Sequence, residues 1–226
     1  MSNELLWLIF CLVQFGLLVL TYKMFGLTGL YVWIGFGIVA ANLQVVKSVD
    51  MFGISATLGN IIYGSIFLAT DLINEKYGRK HAQRAVLIGF VMMVSFTIIT
   101  QLALRFAPNE FDFAQGALET LFSIQIRITA GSLIAYLISQ TLDVYLFDKI
   151  KSKFGSPNQL WIRNNGSTLV SQAIDTAIFT FIAFLGVFPF PVVMEIFWFS
   201  YVIKIATSLI DTPFVYWMRG IQPKEI

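Results

Sequence analysis

Ala85-Val86-Leu87-Ile88-Gly89-Phe90-Val91-Met92-Met93-Val94-Ser95-Phe96-Thr97-Ile98-Ile99 opens a run of twenty residues, 85–104, without a charge, bounded by Arg84 and Arg105. At 1.5 Å of rise per residue this run makes about 30 Å of helix, the thickness of a bilayer's hydrocarbon core. Outward from it, the same texture recurs in both directions. Apolar stretches cover 4–22, 28–47 and 53–75 before the 83–104 stretch, and 118–148, 165–187 and 192–218 after it. The separators are short and marked by breakers: Gly26, the Asp50–Gly53 stretch, Gly78, the Pro108–Asp112 stretch, Gly155–Pro157 and Phe188–Pro191. No soluble domain fits between them, so a single transmembrane domain, 1–226, is expected. The fold class is all-α, a polytopic integral membrane helical bundle.

Composition points the same way. Of the 226 residues 57% are hydrophobic and 12% are charged, against about 25% charged in soluble domains. Mean hydropathy is +0.76. A net charge of +2 speaks against a nucleic-acid partner, and a single cysteine, Cys11, against a disulfide-stapled secreted fold. No Lys or Arg precedes Lys23, so the run from Leu5 to Leu20 reads as a retained helix and not as a cleaved signal.

Basic residues set the expected orientation, because cytoplasmic loops collect Lys and Arg. Lys76, Arg79, Lys80 and Arg84 follow the third stretch; Lys149, Lys151, Lys153 and Arg163 follow the fifth; Arg219 and Lys224 lie in the tail. The 106–119 and 188–195 loops hold only acidic charge. With seven spans, the C-terminus is then cytoplasmic and the N-terminus outside, in a multi-pass protein of the cell membrane. Lys47 falls on the outer side against this rule.

Charge inside a span costs several kcal/mol and is kept for a reason. The candidates for binding a substrate are Asn42, Asn60, Asp71, Arg127, Gln140, Asp143, Gln172, Asp175, Lys204 and Asp211. Ser139-Gln140-Thr141-Leu142-Asp143 and Ser171-Gln172-Ala173-Ile174-Asp175 share one pattern in two helices expected to run in opposite directions. Such a pair is compatible with inverted repeats around a midplane site. Asp175 lies about 15 Å into its helix and Lys204 about 20 Å from the cytoplasmic side, so the two can pair. The bland readings are a structural ion pair for Asp175 and Lys204, interfacial carboxylates paired with loop cations for Asp71 and Asp143, a snorkelling side chain for Arg127, and packing glue for Gln140 and Gln172.

Other chemistries lack their residues. There is no phosphate-binding glycine loop, no CxxC and no histidine cluster; His81 is the one histidine. No cofactor or metal is expected. Asp143 and Asp175 meet only loosely the two-aspartate requirement of an intramembrane protease, without its glycine-rich setting.

Phe67-Leu68-Ala69-Thr70-Asp71-Leu72-Ile73-Asn74-Glu75-Lys76-Tyr77-Gly78 resembles the signature of the queuosine precursor transporter family, also called the vitamin uptake transporter family. Further segments match in order: Arg127–Ala130 through Ser139–Val144, Ser167–Leu169 through Asp175–Thr176 and Phe181–Phe184, and Lys204 through Asp211–Pro213. The resemblance covers 28–218. It implies a six-helix transporter core, 27–220, preceded here by an additional helix in 1–26. It implies no enzyme activity, but uptake of 7-cyano-7-deazaguanine (preQ0) or 7-aminomethyl-7-deazaguanine (preQ1) for tRNA modification, by secondary or facilitated transport. The alternative is a substrate-binding subunit of an ATP-driven uptake complex. The expected partners are a small deazaguanine base and the lipid bilayer. Small-residue faces serve packing within and between subunits alike, so a homodimer is left open.

Overall fold

The computed structural model describes residues 2–45, 47–51, 53–122 and 126–223. The elements are α1 (Asn3–Gln44), β1 (Ser48–Met51), β2 (Ile54–Thr57), α2 (Gly59–Tyr77), α3 (Arg79–Ala103), α4 (Gln115–Phe122), α5 (Ile126–Lys151), α6 (Leu160–Phe184) and α7 (Phe190–Gly220). A 3-10 turn, Pro157–Gln159, leads into α6.

A straight helix of 42 residues would be about 63 Å long, twice the hydrocarbon core. α1 is not straight. Gly26 sits at φ 57, ψ −136, a conformation that a side chain would strain, and it turns the chain back on itself. The contacts with α2 show the reversal. Gln14 Nε2 donates to Ser65 Oγ at 2.6 Å, and Tyr22 lies against Tyr77, so the first arm runs along α2. Trp33 Nε1 then donates to the same Ser65 Oγ at 3.0 Å, and Ala41 lies beside Gly59, so the second arm runs back. The apolar stretches 4–22 and 28–47 are therefore two antiparallel arms.

α2 is the axis of the bundle. It packs against α1, α3, α5, α6 and α7, and 14 of its 19 residues are buried. That position explains its composition: a helix enclosed by other helices carries polar residues against protein, where they find partners, and not against lipid. Among the described residues five helices, those of α1, α3, α5, α6 and α7, are long and apolar enough to cross a membrane. α2 falls outside that set because its apolar content is diluted by Asn60, Thr70, Asp71 and Asn74.

One stretch differs from the sequence expectation. The third begins at Gly59 and not at 53, because 48–57 pairs as an antiparallel ribbon, Ser48 opposite Thr57 and Met51 opposite Ile54, turned at Gly53 with φ 77. Of the 118–148 stretch, residues 118–122 and 126–148 are described, and both parts are helical. α4 has no buried residue and is tied to α3 by Gln101 Nε2 donating to the Phe122 carbonyl at 2.7 Å.

The crossings sort the charges. Lys76, Arg79, Lys80, Lys149, Lys151, Lys153, Arg163 and Arg219 gather at the end where α2 stops, α3 starts and α5 meets α6. Glu4, Lys47, Asp50, Arg105, Glu110, Asp112, Glu119 and Glu195 lie at the opposite end.

Candidate functional site

α5 and α6 are antiparallel and form the most extensive helix pair. Their shared S-Q-x-[LI]-D motif has a direct structural meaning. Ser139 Oγ donates to Asp175 Oδ1 at 2.9 Å, and Ser171 Oγ donates to Asp143 Oδ1 at 2.7 Å. Each motif's serine holds the other motif's aspartate, so the two helices are clasped at two levels.

At the first level Asp175 also accepts from Tyr63 at 3.0 Å and pairs with Lys204 at 2.5 Å. Both charged side chains are more than nine-tenths buried. The Lys204 ammonium lies 5.3 Å from the centre of the Tyr63 ring, whose face adds a cation–π contact. Asp175 thus has a counter-charge and two hydroxyl donors, the conditions under which a buried ion pair is tolerated. The pair lies on a cleft whose envelope, open mouth included, is about 530 Å³. Asn42 and Asn60 line it, with Tyr63, Tyr136 and Phe179 as aromatic walls. Tyr136 fits because α3 has a glycine opposite: a Cβ on Gly89 would meet the Tyr136 oxygen at 2.1 Å.

At the second level the company is different. Asp143 lies within hydrogen-bond reach of Asp71, and both are in electrostatic range of Asp211. Asp71 accepts from Thr168 at 3.3 Å and Asp211 from Asn164 at 3.1 Å. All three are at most 2% exposed. Among the described residues no Lys, Arg or His nitrogen lies within 4.0 Å of any of them. Three of the cations that the sequence offered to Asp71 and Asp143 as loop partners, Lys151, Arg163 and Arg219, go to Glu75 instead. Arg163 holds Glu75 through two nitrogens, at 3.0 and 2.7 Å, while Lys151 approaches at 3.2 Å and Arg219 at 3.0 Å. Arg163 is fully buried and also donates to the Phe154 and Ser156 carbonyls. This hub joins the ends of α2, α5 and α7 to the start of α6.

The ten candidates therefore divide. Asn42, Asn60, Asp175 and Lys204 line the cleft. Asp71, Asp143 and Asp211 form the second cluster, away from the cleft lining. Gln140 and Gln172 are buried on the clasped helices; among the described residues neither oxygen, nor the Gln140 amide nitrogen, has a partner. Arg127 falls at the start of α5, where its side chain lies outside the described residues. Sequence reasoning passed over Tyr63, Tyr136 and the Glu75–Arg163 hub. The signal for Tyr63 was its place three residues after Asn60, on one helical face. Arg163 looked like a loop cation because it stands near the start of its helix.

The comparisons with known proteins follow this geometry. The family described as "Putative vitamin uptake transporter" matches residues 57–218, from the second strand to the last turns of α7. A relative from Bacillus subtilis (strain 168), named "Probable queuosine precursor transporter", is 49% identical over 225 residues, covering 100% of this chain and 98% of the relative. The "Queuosine precursor transporter" of Escherichia coli (strain K12) is 31% identical over 149 residues, 65% of this chain and 63% of that one. A "Probable queuosine precursor transporter" from Haemophilus influenzae is 25% identical over 147 residues, 65% of this chain and 59% of that one. No solved structure matches the chain. A match over most of the chain, and a full-length relative at this identity, make the chain a member of the vitamin uptake transporter family, a multi-pass membrane transporter and not an enzyme.

Proposed function

We propose that the chain imports queuosine precursors, preQ0 and preQ1, and binds them in the cleft at Asp175 and Lys204. The relatives' names support the substrate class. The observation that carries the site is the Asp175–Lys204 pair on a cleft lined by two asparagines and three aromatic rings. A deazaguanine is a flat base with an N–H/NH2 edge and a carbonyl. A carboxylate accepts two hydrogen bonds from such an edge, and a lysine or an amide donates to the carbonyl. Tyr63, Tyr136 and Phe179 offer faces or edges to the ring. In this reading the substrate takes over part of the bonding that Asp175 and Lys204 give each other when the cleft is empty.

The acidic end, where α1 stops and α2 starts, faces outside, and the Glu75 hub closes the cytoplasmic end, in keeping with the positive-inside rule. The C-terminus is then cytoplasmic and the N-terminus external. The first arm of α1 is the helix added to a six-helix core of 27–220. The test is uptake of labelled preQ0 by liposomes holding the purified chain alone. Accumulation that unlabelled preQ1 competes away, and that Lys204→Ala abolishes while the protein still inserts, is the expected result. No uptake without a partner protein, or normal uptake by Lys204→Ala, overturns the reading.

A further inference from the structure

The Asp71, Asp143 and Asp211 cluster lies one to two helical turns from the cleft, on the side of the Glu75 hub. Its hydrogen bonds do not balance. The Thr168 hydroxyl, the Ser171 hydroxyl and the Asn164 amide nitrogen all donate into it. Among the described residues, Asp71 Oδ1, Asp143 Oδ2 and Asn164 Oδ1 remain as fully buried acceptors without a donor. The Asn164 side chain, 1% exposed, is aimed into the cluster by its bond to Asp211, and its oxygen is left over. Within the cluster, acceptors outnumber the three donors aimed at it. What is missing carries a positive hydrogen or a positive charge.

Among the described residues no cation of the protein itself is free to offset the cluster. On one side Lys151, Arg163 and Arg219 are all engaged by Glu75, the residue one turn beyond Asp71. On the other side Lys204 is engaged by Asp175. The charged residues of α1 and α3 lie at helix ends, Glu4 and Lys23 on α1 and Arg79, Lys80 and Arg84 on α3. Three ionised carboxylates packed together in a bilayer core would repel one another with nothing to offset the desolvation. Among the described residues no group of three acidic, His or Cys side chains is placed to hold a metal ion. A proton shared between Asp71 and Asp143 removes one charge and supplies the donor that the pair lacks.

We infer that Asp71, Asp143 and Asp211 form a proton-binding site, distinct from the substrate cleft, through which transport is coupled to a proton gradient. Asp71 and Asp143 share the proton, and Asp211, held by Asn164, is the neighbour that receives or returns it. The Ser139–Asp175 and Ser171–Asp143 clasps link the site to the cleft through α5 and α6, so a shift of these helices on ligand binding acts on both carboxylates. The coupling role rests on the transport reading above; proton occupancy of the cluster does not.

The experiment therefore has two arms on the purified full-length chain. Infrared spectra read protonated carboxyl groups without any substrate. The wild type is expected to show a protonated-carboxyl band at neutral pH that weakens in both Asp71→Asn and Asp143→Asn. In liposomes, a pH difference of about one unit, alkaline inside, sustains about tenfold accumulation per coupled proton. The wild type is expected to reach that accumulation with preQ0. Asp143→Asn should only equilibrate preQ0, yet still exchange labelled for unlabelled preQ0, and Asp143→Glu should regain accumulation.

A band unchanged in both variants overturns the proposal. So does full gradient-driven accumulation by both, or accumulation driven by sodium at equal pH. Loss of exchange together with accumulation in Asp143→Asn makes the residue a substrate contact and also overturns it. If the wild type neither binds nor moves preQ0, the transport reading fails, while the infrared arm still decides the proton site.

Discussion

Asp175 and Asp143 occupy the same position of one repeated motif, and each accepts a hydrogen bond from the serine of the other copy. Around Asp175, α7 supplies Lys204 and α2 supplies Tyr63, and the result is a satisfied ion pair at a cleft. Around Asp143, the same two helices supply Asp211 and Asp71, and the result is a buried cluster of like charges. α2 and α7 run alongside the clasped pair in one direction, so they break its symmetry: the residues they present at one level are a base and a phenol, at the other two acids. A repeat in sequence has produced two equivalent anchoring points, and the flanking helices have given them opposite electrostatics. That division suits a transporter, which needs one place for cargo and another for whatever drives it.

The largest expected effect breaks the first site. Lys204→Ala leaves Asp175 buried without its counter-charge, and removing one partner of such a pair costs about 3–5 kcal/mol. Thermal unfolding in detergent should register that loss, and uptake should vanish. The double variant Asp175→Asn with Lys204→Met removes both charges together. It should regain most of the stability and none of the uptake. Recovery of both would reduce the pair to a structural fastener.

The second expectation concerns what closes the end nearer Asp143. Glu75→Gln leaves the fully buried Arg163 with a neutral partner and releases Lys151 and Arg219. Breaking a buried network of this kind costs about 3–5 kcal/mol, again read in thermal unfolding. If the hub also holds its end of the bundle shut, cysteines placed near Ser156 should become more reactive to a water-soluble thiol reagent. Unchanged stability and labelling would mean that the hub carries no share of the closure.

How much of this was legible in the sequence depends on which link is asked. The apolar stretches marked the spans because lipid-facing helices must be apolar, and the depth count put Asp175 and Lys204 within reach of each other. α2 was legible through its family signature more than through its hydropathy, since the enclosed helix is the one that departs from the apolar rule. The ribbon at 48–57 was hidden because two four-residue strands carry too little pattern to stand out beside a hydrophobic helix. The division of the acidic residues was hidden for a different reason. Position along a helix gives depth, and depth put Asp71 and Asp143 near the basic loops. It could not show that Glu75 engages Lys151, Arg163 and Arg219 and leaves none of them for the aspartates.

A smaller effect tests the cleft wall. In Gly89→Ala the new methyl would stand 2.1 Å from the Tyr136 oxygen, so the ring must move toward the cleft. Overpacking of this kind costs about 1–3 kcal/mol. The Michaelis constant for preQ0 should rise with little change in maximal rate. Gly89→Ala combined with Tyr136→Phe, which shortens the ring by its oxygen, should reverse most of that rise. If the double variant is no better than the single one, Tyr136 is not the residue displaced.

The smallest changes separate the two anchoring points most cleanly. Ser139→Ala and Ser171→Ala each delete one hydrogen bond to a carboxylate at the same helix pair, and each should cost about 1.5–3 kcal/mol if that carboxylate is ionised. The cost should not be equal. Asp175 keeps Lys204 and Tyr63 when Ser139 is lost, so the change should appear as weaker preQ0 binding with modest destabilisation. Asp143 loses a listening donor that no cation replaces when Ser171 is removed, which favours its protonated form. The pH at which gradient-driven uptake is half-maximal should then move upward in Ser171→Ala and stay in place in Ser139→Ala. The sign follows from which form the serine stabilises: a hydroxyl donating to a carboxylate favours the ionised state, so deleting it raises the pH at which the proton leaves. Equal behaviour of the two variants would mean that the clasp holds helices together and does not distinguish cargo from proton.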